Sequence, residues 1–208
     1  MKLLLIRHGQ TDWNILRRFQ GQSDIPLNEV GQKQAMALAD RLSTQHIDTL
    51  YFSDLQRTHE TANIISSLSG CKPELHPDPH LREINFGDWE GLTYNEIKEK
   101  YPDTLAEREN DIYKNAPPNG ETLEQLCMRV QSMLDELYAK HKDQVVLIVS
   151  HGGMLQVLLC LALNLKPTMY WQFHLSTASL SEIAFYPYGA ILNLLNDTSH
   201  LEKLTWDK

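Results

Sequence analysis

Apolar residues fall along this chain in two periods. Leu3-Leu4-Leu5-Ile6 is an unbroken apolar run, which reads as a strand buried on both faces, and Val145 to Val149 is a second, richer in β-branched side chains. A shorter strand is predicted over Asp48 to Phe52 and another around Leu75, with two more in the tail over Leu180 to Tyr186 and Ala190 to Asn196, joined at Gly189. Helical spacing takes over between these runs. Asn28 is the predicted cap of a helix that buries Ala35, Leu38, Ala39 and Leu42, and Thr122 with Gln125 caps one that turns Leu126, Val130, Met133, Leu134 and Leu137 inward. Ser53 and Gln56 have capping-box spacing and predict a helix from there to about Leu68, and Met154 to Leu163 is apolar enough to be a buried helix.

Strands alternating with helices predict an α/β protein: a three-layer α/β/α sandwich with a largely parallel central sheet, in a single domain over residues 1–208. Two stretches do not fit the layers. Asp12 to Asp24 is a long, polar, irregular loop at the carboxyl end of the first strand, where functional residues concentrate. Residues 93–119 open on a Thr93/Glu96 capping box, are helical and polar, and are punctuated by Pro102, Pro117 and Pro118. They are predicted to form a small helical cap inserted over the strand ends.

Composition narrows the partners. The 208 residues carry 19 basic and 27 acidic side chains, a net charge of −8 that disfavours nucleic acid or an anionic membrane as the main partner. Cys71, Cys127 and Cys160 are scattered and odd in number, which points away from a disulfide framework or zinc site and toward a reducing compartment. The opening apolar run is too short for a signal peptide, and no stretch approaches the roughly 18 consecutive apolar residues of a membrane span. A cytoplasmic location is expected.

Against this acidic background the strand ends gather cations. Arg7-His8-Gly9 follows the first strand, Arg57 falls in the first turn after the second, and Ser150-His151-Gly152-Gly153 joins the fourth to a helix N-terminus. In a parallel sheet these ends share one crevice, bringing two guanidiniums, two imidazoles and two helix N-termini together. Like charges repel, and a bound dianion removes the difficulty, so a phosphate-type oxyanion site is predicted. The seven other histidines (His46, His59, His76, His80, His141, His174 and His200) lack ligand spacing and are read as structural or surface, Asp88 and Glu90 as a solvated turn, and Trp89 and Gly91 as structural. Trp13, Phe19 and Trp171 are candidate pocket aromatics.

Four motifs, in order, resemble the histidine phosphatase (phosphoglycerate mutase-like) superfamily. They are Arg7-His8-Gly9-Gln10-Thr11 with Asn14; Ser53-Asp54-Leu55-Gln56-Arg57 with Thr61-Ala62; Leu81-Arg82-Glu83 with Phe86-Gly87-Asp88-Trp89-Glu90-Gly91; and Ser150-His151-Gly152-Gly153. The resemblance implies a phosphatase of small phosphomonoesters that needs no metal or other cofactor. His8 would be the nucleophile and carry the phosphoryl group, with His151 part of the catalytic set. Arg7, Asn14, Arg57 and His151 would hold the phosphoryl oxygens, with Gln20, Gly21 and Gly152 also assigned to phosphate or substrate. Glu83 would be the general acid and base, its carboxyl desolvated by Phe86 and Trp89.

Within the superfamily, the mutases have paired arginines and a proline run in the cap, and Asn after the second His-Gly. This chain has Asn115-Ala116-Pro117-Pro118-Asn119-Gly120-Glu121 and Gly153, so a hydrolase is expected rather than a mutase. Ala178-Ser179-Leu180-Ser181 and Leu195 to Leu201 resemble α-ribazole phosphatases, which implies α-ribazole 5′-phosphate as substrate, stacked against Trp13, Phe19, Tyr94 and Tyr101. A broad-specificity phosphatase is the alternative, and a phosphate-binding module without catalysis is disfavoured by the presence of both His8 and Glu83.

Overall fold

The computed structural model describes residues 1–70 and 73–202; Cys71 lies outside the described residues. In chain order the main elements are β1 (Lys2–Arg7), α1 (Asp12–Ile15), α2 (Glu29–Leu42), β2 (Thr49–Phe52), α3 (Gln56–Leu68), β3 (Glu74–Pro77), α4 (Tyr94–Lys100), α5 (Pro102–Asn110), α6 (Leu123–Lys140), β4 (Val145–Ser150), α7 (Gly152–Ala162), β5 (Leu180–Tyr186) and β6 (Gly189–Asp197). The strands make one sheet in the order β3-β2-β4-β1-β5-β6. The first four are mutually parallel, and β5 and β6 add antiparallel at the far edge.

Alternation along the central strands builds the layers. Leu3 and Leu5 of β1, with Val146 and Ile148 of β4, face a cluster completed by α6 and α7 through Leu126, Val130, Leu134, Met154 and Leu158. Their neighbours Leu4, Ile6, Leu147 and Val149 point the other way, onto Leu38 and Leu42 of α2 and Ile65 of α3. Central strands covered on both faces need apolar residues at every position, which is why these two runs are unbroken.

Three local expectations are corrected. Ser53 does not cap α3: the N-cap is Leu55, which has no side-chain bond, and the Gln56 amide donates instead to Asp24 Oδ1 at 2.6 Å. A carboxylate from a distant loop takes the place that spacing assigned to a local hydroxyl. The 12–24 segment is not wholly irregular, because Thr11 and Asn14 form a capping box that starts the single turn of α1. Finally, the 87–110 segment has an apolar centre of its own: Trp89, Ile97 and Leu105 are buried together, with Phe19, Phe86, Leu92 and Tyr101 packed against them.

Candidate active site

β1 and β4 run side by side in register, with Arg7 opposite Ser150, so the residues that follow them, His8 and His151, emerge together at the carboxyl edge of the sheet. Their rings lie 5.2 Å apart between centroids, inclined at 60°. His8 Nδ1 is 2.7 Å from the Gly9 carbonyl oxygen, an acceptor only, so Nδ1 carries the hydrogen and Nε2 keeps its lone pair. His151 is the opposite tautomer. Its Nδ1 accepts from Arg57 Nε at 3.1 Å, which leaves the hydrogen on Nε2, a buried donor without a partner among the described residues. Burial, then the fields of Arg57 and Arg7, hold His8 well below its ordinary value of 6.5; burial, then Arg57, His8 and Arg7, do the same for His151. Both rings are neutral at pH 7, one poised to attack and the other to donate.

The two guanidiniums are fixed by backbone carbonyls. Arg57 is fully buried in the first turn of α3 and donates through Nη1 to Ser23 O at 2.8 Å and through Nη2 to Gly21 O at 2.7 Å. Burial lowers it to about 10, against the opposing fields of Glu83, Asp24 and Glu90. Arg7 donates from Nη1 to Leu175 O at 2.6 Å, and its Nε is buried without a partner among the described residues; desolvation lowers its pKa too, with Glu83 opposing.

Glu83 is held differently from what its neighbours in sequence suggested. Its Oε2 accepts from Gly153 N at 3.0 Å, and Oε1 accepts from Met154 N at 2.9 Å and Ile84 N at 3.0 Å. The carboxylate therefore sits on the N-terminus of α7, where free amides and the helix dipole welcome an anion. Trp89 is in the apolar centre of the 87–110 segment, so of the two expected desolvating aromatics only Phe86 shares the cleft with Glu83. Gly153 makes this seat possible, since a Cβ there would lie 2.7 Å from Glu83 Oε1.

A cleft of about 310 Å³ opens above these groups, lined by Arg7, His8, Asn14, Gln20, Gly21, Arg57 and Glu83 together with Trp13, Arg17, Arg18, Phe19 and Phe86. His151 lies against His8 at its floor, while Gly152 is the first residue of α7 and is outside the lining. Asn14 Oδ1 accepts from Thr11 N at 2.9 Å and from Thr11 Oγ1 at 3.0 Å. Tyr94 is not in the cleft but donates to Glu109 at 2.7 Å, Tyr101 packs on the cap cluster, and Trp171 is 70% exposed elsewhere.

Several supporting residues were missed in the sequence. Glu90 is not a solvated turn residue: it accepts from Gln22 N at 2.8 Å, Ser23 Oγ at 2.6 Å and Phe86 N at 3.2 Å, and so clamps the loop whose carbonyls hold Arg57. Gly21, at φ +50°, would place a Cβ 2.0 Å from Glu90 Oε1, so the same contact accounts for that glycine. Arg129 of α6 pairs with Glu121 at 2.8 Å and donates to the carbonyls of His80, Arg82 and Glu83, bracing the segment that carries the carboxylate. The crowding of charged residues and glycines over Phe86–Gly91 was a usable signal for Glu90; nothing in spacing pairs Glu121 with Arg129.

The parallel part of the sheet brings to its carboxyl edge two neutral imidazoles, one buried and one half-buried guanidinium and a helix-seated carboxylate, an arrangement suited to a protein that binds and transfers phosphoryl groups. Residues 3–198 match the histidine phosphatase superfamily (branch 1), and the chain belongs to that superfamily. It is 34% identical over 97% of its length to phosphoserine phosphatase 1 of Hydrogenobacter thermophilus, covering 94% of that protein. It is 35% identical over 98% of its length to the metal-independent phosphoserine phosphatase of Arabidopsis thaliana, covering 84% of it. Among solved structures, a putative α-ribazole-5′-P phosphatase from Escherichia coli K-12 superposes with a TM-score of 0.89 at 30% identity, covering 95% of this chain and 96% of that one.

Proposed function

We propose that the protein hydrolyses small phosphomonoesters through a phosphohistidine on His8, with Glu83 as acid and then base, and without a metal. The observation that carries this is the pair of opposed tautomers: a lone pair on His8 Nε2 and a hydrogen on His151 Nε2, side by side at the floor of the cleft. His8 Nε2 attacks phosphorus while the bond to the leaving oxygen breaks, and Glu83, entering the step in its carboxylic-acid form, gives that oxygen its proton and becomes the carboxylate. Glu83 then takes a proton from water, whose oxygen attacks phosphorus. The N–P bond breaks, releasing phosphate and restoring neutral imidazole. Arg7, Arg57, Asn14 and His151 hold the three equatorial oxygens through both transfers, supplying the charge neutralisation that magnesium supplies in other phosphoryl transfers. Metal independence in the name of the Arabidopsis relative supports the last point.

Two substrates have support. α-Ribazole 5′-phosphate is favoured by the tail resemblance, by the E. coli neighbour and by Trp13, Phe19 and Phe86 along the cleft, although Tyr94 and Tyr101 are lost to it. Phosphoserine is favoured by the two curated relatives. The test of the reaction is brief incubation with ³²P-labelled substrate and EDTA followed by quenching in alkali. Acid-labile label on the protein, with turnover unchanged by chelator, is the expected result; turnover that disappears with EDTA and returns with a divalent cation overturns the mechanism.

A further inference from the structure

We propose that Arg17 is a specificity residue of the cleft, binding a second anionic group, a carboxylate or a further phosphate, on the part of the substrate that leaves. The proposal rests on the phosphomonoesterase reading above and names its substrate class. Three observations carry it.

The first is conformational. α1 ends with Arg18 N donating to Trp13 O at 3.0 Å and Arg17 N to Asn14 O at 3.3 Å, the paired bonds of a Schellman turn, and Arg17 occupies its left-handed position at φ +53°. Glycine is the usual occupant there because an L side chain is disfavoured. A long side chain held against that preference at a ligand cleft points to use of the side chain.

The second is the state of the guanidinium. Arg17 is exposed and lines the cleft, and among the described residues no acceptor holds its side chain. Its neighbour Arg18 is committed, donating to the Gly91 carbonyl and pairing with Glu96 at 3.0 Å. A cation near a helix C-terminus also gains from the helix dipole, but α1 is a single turn and that gain needs no contact with the cleft.

The third is the division of charge. Arg7, half-buried, and Arg57, buried, stand at the floor, each in the field of Glu83, where with Asn14 and His151 they serve the phosphoryl group that His8 attacks in the reading above. Arg17 is a further cation at the rim, on a chain whose net charge is −8. Gln20, in the same cleft, keeps a buried amide oxygen without a donor among the described residues, which suits an N–H or O–H beside the anionic group. Phosphoserine and 3-phosphoglycerate have both features, whereas α-ribazole 5′-phosphate has no second anion.

The test is steady-state kinetics of wild type and Arg17→Met with phosphoserine, 3-phosphoglycerate, α-ribazole 5′-phosphate and p-nitrophenyl phosphate. A charge-assisted contact made equally in ground and transition states predicts KM for the two acid-bearing substrates to rise about tenfold or more with kcat nearly unchanged. The other two substrates should hold within about twofold, and Arg17→Lys should recover part of the loss. Added salt should erode the wild-type preference, as for any exposed ion pair. Arg17→Gly is the folding control: it removes the left-handed strain and should melt no lower than wild type. If the ratio of kcat/KM between phosphoserine and p-nitrophenyl phosphate moves less than about threefold in Arg17→Met, the proposal fails while the phosphatase reading stands. A wild-type protein that turns over none of the four overturns both.

Discussion

The floor of the cleft and its rim are built by different means. At the floor each of these side chains is anchored by main chain or by a buried neighbour: His8 by the Gly9 carbonyl, Arg57 by the Gly21 and Ser23 carbonyls and His151, and Arg7 by the Leu175 carbonyl. At the rim Arg17 is unheld, Arg18 faces a partly exposed carboxylate, and Phe19 leans on Phe86 with centroids 4.8 Å apart. In the mechanism proposed above, the floor is preorganised for one geometry of five-coordinate phosphorus, and such preorganisation acts on kcat. On the same reading the rim grips whatever leaves, and such contacts act mainly on KM.

Substitutions can break that division. His8→Ala should abolish both turnover and acid-labile phosphoprotein, and residual phosphoprotein in this variant would move the nucleophile elsewhere. Glu83→Gln comes next. It should slow hydrolysis of alkyl phosphates by about 10²–10⁴ while largely sparing p-nitrophenyl phosphate, whose leaving group needs no proton. Equal losses on both would remove Glu83 from the acid role. Trp89→Ala should cost about 3–5 kcal/mol in stability by emptying the centre of the cap segment, and where the protein stays folded it should raise KM more than it lowers kcat. A selective loss of kcat there would mean that the rim takes part in the chemistry.

The smallest effect concerns pH. His8 and His151 are held below 6.5 in the folded protein by burial and by the two arginines, while the unfolded chain titrates near 6.5. Between those values the unfolded state binds more protons, so stability falls as pH drops below about 6.5, by at most about 1.4 kcal/mol per pH unit for each histidine. Thermal melts from pH 7 to pH 5 should show the decline, and His151→Gln should flatten it. A melting temperature that is flat over that range contradicts neutral histidines at the floor.

The same division explains what could be read in the chain. The sheet and both covering layers were legible because β1 and β4 must be apolar at every position and α2 and α6 at every third or fourth. The floor residues followed, since strand ends in a parallel sheet converge whatever their side chains. What could not be read is what joins remote segments. Asp24 caps α3 from a loop 32 residues away, Glu90 clamps residues 22 and 23, and Arg129 reaches back to residues 80–83. No periodicity encodes such contacts. Glu83 shows the limit most clearly: its neighbours in sequence suggested an apolar setting, and its neighbours in space are backbone amides.

The absent side chain at Gly153 sets the order in which this corner of the cleft can change. A β-carbon there would press on a carboxylate already held by three amides. Any side chain at 153 therefore obliges Glu83 to shift on those amides, so a new seat for the carboxylate has to come before, or together with, a larger residue at 153.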